Sequence, residues 1–142
     1  MANFSNVPVY FPQGGQSLNV DAGGRVDASG GGDVVENYTA AAVSGAVTQK
    51  SGNVFITDTG VAALTIADPV SGAPSAGGDD GKCLTVISTT AHAHTLSNAA
   101  ASGFNAGGAG SVVGTFGAAI GNQITLLAFG GKWYVQSNTG VT

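Results

Sequence analysis

Apolar and polar residues alternate in short runs along this chain, which is the pattern of half-buried β-strands. The clearest example is residues 121–142, where Gly130 and Gly131 separate two segments rich in β-branched and aromatic residues. Gly-Gly is favoured in two-residue hairpin loops because both turn positions require a positive φ. The sequence therefore predicts a β-hairpin in which Phe129 pairs with Lys132.

The two faces of this predicted hairpin differ in polarity. One face is apolar and suits a core: Ile124, Leu126, Ala128, Trp133 and Val135. The other face is mixed: Thr125, Leu127, Phe129, Tyr134 and Gln136. Leu127, Phe129 and Tyr134 are too apolar to face water without a reason. We predict that these three residues form an oligomer interface with another copy of the chain.

Shorter runs of the same kind precede the hairpin. Predicted strands cover residues 54–57, 61–67, 82–88, 92–96 and 111–116, and 82–88 is expected to pair with 92–96. Residues 33–51 are read as a strand or a connecting segment. The fold class predicted for residues 33–142 is all-β, a small antiparallel sandwich or barrel of about seven strands.

An extended arm is predicted over residues 1–32. Pro8 and Pro12 restrict the residues before them to extended conformations and make a helix or central strand improbable. Five apolar side chains lie here with little around them to be buried against: Phe4, Val7, Val9, Tyr10 and Phe11. We expect another chain to cover them.

The arm also contains two similar units. Residues 20–24 read VDAGG and residues 26–31 read VDASGG. Such units are typical of shallow β-solenoid or β-prism wraps, and equally of a flexible glycine-rich linker. Asp21 and Asp27 do not have the spacing of an EF-hand calcium loop.

Composition and charge exclude several classes of function. Charged residues make up 8% of the chain, against about 25% in a usual soluble domain. The net charge is −4, and the four basic residues form no cluster that would neutralise phosphates, so nucleic acid is not an expected partner. No apolar run reaches the length of a membrane span, and we expect no membrane partner and synthesis in a cytoplasm.

Few residues in the sequence are candidates for catalysis or metal binding. His92 and His94 would share one side of a strand, which is a possible metal pair, but no nearby carboxylate or cysteine completes a ligand set. They are interpreted as polar strand residues. Cys83 is interpreted as a small buried residue. No nucleophile motif or phosphate loop occurs, so we predict neither an enzyme nor a cofactor.

Aromatic residues have two interpretations. Phe55, Phe116 and Trp133 are expected in the core, with an exposed carbohydrate-stacking platform as the alternative. That alternative would place the Trp133 and Tyr134 region or the loop around Phe104 in solvent.

The arm with its proline-flanked aromatics, the glycine-punctuated stretch SLNVDAGGRVDASGGG and the closing GNQITLLAFGGKWYVQSNTGV together resemble small virion proteins of tailed bacteriophages. The similarity is greatest to capsid decoration (cement) and head-fibre proteins. It implies homotrimers on the outer capsid surface, bound to the major capsid protein through N-terminal segments and assembled in the host cytoplasm. A receptor- or glycan-binding fibre or tail-tip domain is the alternative function.

Overall fold

The structure, a computed structural model, describes residues 38–41, 43–98, 100, 103–105 and 113–142. These residues belong to one compact unit. The predicted arm, its capsid-binding residues and the boundary at residues 32 and 33 lie outside the described residues, as do the two VDA units.

The described part of the chain contains nine strands. In chain order they are β1 (Tyr38–Ala41), β2 (Gly45–Val47), β3 (Gly52–Ile56), β4 (Ala63–Ile66), β5 (Cys83–Ser88), β6 (Thr95–Asn98), β7 (Val113–Thr115), β8 (Gln123–Phe129) and β9 (Lys132–Thr139). A 3₁₀ turn covers Pro74–Ala76, and no α-helix occurs in the same residues. The all-β prediction is confirmed.

Strands β1 to β6 alternate between two sheets, and the last three strands complete them. One sheet has the order β1-β3-β5-β8-β9 and the other has the order β2-β4-β6-β7. Within each sheet the first three strands run parallel, and each of the strands β1 to β4 pairs with the strand that lies two places further along the chain. Strands β1 to β6 therefore wind like a β-solenoid, with one turn for every two strands. We call this arrangement the winding.

The pairing differs from the predicted antiparallel arrangement. Both sheets are mixed, and the predicted pair of residues 82–88 with 92–96 does not form, because β5 and β6 lie in different sheets. Alternation of apolar and polar residues has the same period in parallel and antiparallel strands, so it does not indicate in which direction neighbouring strands run. A short turn can equally carry the chain across to the opposite sheet, as the turn after β3 does.

The closing hairpin agrees with its prediction. Phe129 pairs with Lys132, and the turn residues Gly130 and Gly131 have φ values of 57° and 73°. One irregularity interrupts the register, because Thr125 faces Ser137 while Leu126 faces Val135. Gln136 is the extra residue of this β-bulge, which increases local twist.

One core lies between the sheets. Its buried apolar residues come from both sheets and from the adjoining loops: Val47, Val54, Ile56, Ala62, Leu64, Ile66, Leu84, Val86, Leu96, Phe104, Phe116, Ile124, Leu126, Ala128, Trp133 and Val141. The predicted inward face of the hairpin is buried here, with Val135 partly buried against it. Each large apolar side chain buried contributes about 1.5–3 kcal/mol to folding before entropy is counted. The core therefore fixes which face of each strand points outward.

Candidate interaction surfaces

The outward side of the five-stranded sheet brings the predicted oligomer-interface residues together. Leu127 pairs with Tyr134, and Phe129 lies at the end of the same strand as Leu127. Phe129 is 63% exposed and Tyr134 is 36% exposed. Cys83 pairs with Leu127 on the other side, so it belongs to the same row. We call these four residues the apolar patch.

The sheet around the apolar patch carries little charge. The cross-strand pair beside Cys83 and Leu127 on this face is Thr85 with Thr125, whose Oγ1 atoms are 3.2 Å apart. Phe55 and Ile87 follow in register and are half-buried. Among the described residues of this face, Lys132 is the only charged one. Covering the patch would therefore require little desolvation of charge.

A supporting loop fixes the hairpin turn that presents Phe129. Asp80 Oδ1 accepts the backbone N–H of Gly130 at 2.7 Å. Its neighbour Asp79 is buried and accepts the N–H of Val70 at 2.7 Å, while Lys82 Nζ donates to it at 2.7 Å. The hydrogen bond from the Lys82 ammonium, with that from Val70, lowers the pKa of Asp79. Asp79 is thus held as a carboxylate.

Trp133 is a core residue, as predicted, and is fully buried. Its indole N–H donates to the carbonyl of Ala67 at 3.0 Å. Lys50 Nζ lies 5.7 Å from the ring centroid and donates to the same carbonyl at 2.6 Å. Burial lowers the pKa of Lys50. Phe104 is also buried, so neither Trp133 nor Phe104 offers a ring face to a sugar.

His92 and His94 are not neighbours on a strand. Both precede β6 in a tight connection, where the N–H of His94 donates to the carbonyl of His92 at 2.9 Å. Their rings meet edge to face with centroids 6.0 Å apart. His94 is completely buried, contrary to its interpretation as a polar strand residue.

Both ring nitrogens of His94 have partners. Nδ1 accepts the backbone N–H of Ala62 at 3.1 Å, and Nε2 lies 3.0 Å from Thr90 Oγ1. The Thr90 hydroxyl donates to the carbonyl of Asp58 at 2.7 Å, so Thr90 accepts from Nε2–H and the imidazole is neutral. Burial lowers the pKa of His94. A ring held on both sides in this way has no nitrogen left for a metal.

Cys83 is exposed, which corrects the interpretation as a buried residue. Its thiol lies 3.4 Å from Gln136 Oε1, a weak contact at the bulge. The alternation of the strand contains the signal, because Leu84 and Val86 point into the core and residue 83 must point outward.

In the part of the chain that the structure describes, no group of three histidine, cysteine, aspartate or glutamate residues lies close enough to hold a metal. Asp58 has a turn role, since its Oδ1 accepts the N–H of Gly60. Among the described residues, no helix has the length and the apolar sequence that a membrane span requires.

No protein-family model matches the chain, and comparison with curated proteins gives no matching relative.

Proposed function

We propose that this protein is a structural component of a phage virion, which binds the outer capsid surface as a homotrimer and stabilises or decorates the shell. Its partners are the major capsid protein and other copies of itself. In this proposal residues 33–142 form a two-sheet sandwich that makes the oligomer, and residues 1–32 form the arm that contacts the capsid.

The apolar patch is the observation that supports this proposal most directly. Two aromatic side chains and a leucine lie together on a rigid sheet face, in a chain where few residues are charged. An exposed apolar patch of this kind marks an interaction surface. A symmetric oligomer could bury it against equivalent residues of other copies.

The proposed role requires only binding surfaces and no chemistry. Several weak arms carried by one oligomer bind a repeating shell much more tightly than one arm does, because each bound arm raises the effective concentration of the others. The burial of Trp133 and Phe104 removes two of the aromatics on which a glycan-binding tip would depend.

Capsid occupancy tests the arm directly. Undecorated capsids are incubated with the protein and with the double variant Val7→Asp/Val9→Asp, and bound protein is measured after sedimentation. We expect the variant to lose at least tenfold in affinity, because carboxylates cannot insert where valine side chains did. The matched control is Val61→Asp/Ile120→Asp, which alters two exposed aliphatic residues outside the arm and the apolar patch and should leave occupancy unchanged. Equal binding by the arm variant would exclude the arm as the capsid contact.

A further inference from the structure

One end of the winding is made of connections through which the chain crosses between the two sheets. Residues 57–62 join β3 to β4, residues 89–94 join β5 to β6, and residues 116–122 join β7 to β8. The three connections lie at the same end, because the strand ends that they join pair with one another. We call them the crossover end.

His94 is bonded to all three connections of the crossover end. Its Nδ1 accepts the N–H of Ala62 at 3.1 Å, and its backbone carbonyl accepts the N–H of Phe116 at 2.9 Å. Its Nε2 lies 3.0 Å from the hydroxyl of Thr90, which in turn donates to the carbonyl of Asp58. The ring is completely buried among these partners. A change in this one side chain therefore reaches each connection.

A charged imidazole does not fit this site. A proton added at Nδ1 would meet the N–H of Ala62, because both groups are then donors. Burial, the largest effect, lowers the pKa of His94; the smaller effects of Thr90 and Asp58 raise it, and that of His92 lowers it. The ring can carry a proton at little cost only after it has left the site and reached water.

The opposite end of the strands is held by a group that does not titrate in mild acid. There Asp79 accepts the ammonium group of Lys82 and the N–H of Val70, each at 2.7 Å. These hydrogen bonds, that of Lys82 first, lower the pKa of Asp79, so it stays a carboxylate at every pH well above the ordinary value of 3.8. Between pH 7.5 and pH 5 a proton therefore acts on one end of the molecule and not on the other.

We propose that the crossover end is a pH-sensitive latch, whose open form gains population in mild acid while both sheets and the opposite end stay folded. In the open form the protonated ring of His94 has left its site, and its bonds to Ala62 and Thr90 are broken. Phe116, fully buried in the closed form, then becomes accessible to water. Loss of the proton returns the ring, since no covalent bond changes. The proposal is independent of the proposed function.

Hydrogen exchange of the full-length protein at pH 7.5 and pH 5, expressed as protection factors, tests the latch. Amides of Ala62, Thr95 and Phe116 report on the crossover end, and those of Val70 and Gly81 report on the opposite end. An exposed imidazole with the ordinary pKa of 6.5 is favoured about thirtyfold by protonation at pH 5. We therefore expect protection of the first three amides to fall at least tenfold at pH 5, and that of the other two to change less than about twofold.

Two variants assign the fall in protection to one ring. The chain has two histidines, so a fall that persists in His92→Gln, the matched control, belongs to His94. In His94→Gln, which takes up no proton in this range, protection should be the same at both pH values. Amides of Val70 and Gly81 show whether this variant is folded.

The latch is overturned if the crossover amides keep their protection at pH 5, if both ends lose it together, or if the fall is absent from His92→Gln or present in folded His94→Gln. If His94→Gln does not fold, the pH profile of His92→Gln decides. Its protection should be constant above pH 7 and should fall by up to about tenfold per pH unit below 6.5, as uptake of one proton requires. A fall that begins only below pH 5 would indicate a carboxylate and would equally exclude the latch.

Discussion

The imidazole of His94 connects three segments that are distant in the chain. It accepts the N–H of Ala62, just before β4, and donates to Thr90, whose hydroxyl binds the carbonyl of Asp58. A proton added at Nδ1 would face the N–H of Ala62, donor against donor. His92 and Asp58 are the nearby groups that also act on the charge of this ring. Neutral His94 is therefore part of the folded structure.

Acidification should destabilise the protein through this residue. The pKa of His94 in the folded protein lies below the ordinary 6.5, so the unfolded chain takes up the proton first. Its contribution to the free energy of unfolding is fully present above pH 6.5 and falls as the pH drops toward the folded pKa, by at most about 1.4 kcal/mol per pH unit.

Thermal unfolding between pH 7.5 and 5 checks this expectation. The variant His94→Gln should be less stable at neutral pH and should lose most of the pH slope in this range, while His92→Gln should keep it. A slope that survives in His94→Gln would contradict the assignment.

The turn of the closing hairpin depends on the backbone conformation of its two glycines. A Cβ added at Gly130 meets no atom within 4 Å, and one added at Gly131 meets ordinary contacts at 3.6 Å. Space is therefore not the constraint. Both residues have positive φ, which costs other residues energy.

The cost of a substitution in the turn should depend on the backbone conformation that the new residue tolerates, and not on the size of its side chain. We expect Gly130→Ala and Gly131→Ala each to lower the free energy of unfolding by about 1–2 kcal/mol. Gly130→Asn, although larger, should cost less, because asparagine tolerates this conformation. Urea unfolding measures the difference, and an equal cost for alanine and asparagine would argue against this cause.

Elements whose structure is set locally were predictable from the sequence. The hairpin follows from Gly130 and Gly131, and the buried face of β4 follows from the alternation of Leu64 and Ile66. The route between the sheets was not predictable, because the pairing of β5 with β3 depends on partners 32 residues apart, as with Ile56 and Ser88. Likewise, the burial of His94 depends on an N–H that is distant in the chain.

At the scale of the whole molecule, the apolar patch is the feature that contacts among the described residues leave unexplained. The sequence predicted its members because the register of the hairpin places Leu127, Phe129 and Tyr134 on one face. It did not predict Cys83 beside them. The self-association that we propose accounts for the patch without requiring chemistry at it.

Sedimentation velocity of the full-length protein, with Phe129→Asp and Ile120→Asp compared in parallel, tests this claim most directly. Ile120 is 70% exposed but lies in a turn away from the patch, so it is the matched control. Burial of a phenylalanine contributes about 1.5–3 kcal/mol, so a charge at residue 129 should weaken association tenfold or more. We predict a trimer for the unmodified protein and for Ile120→Asp, and a monomer for Phe129→Asp. A monomeric unmodified protein, or a trimer that persists in Phe129→Asp, would contradict self-association through the apolar patch.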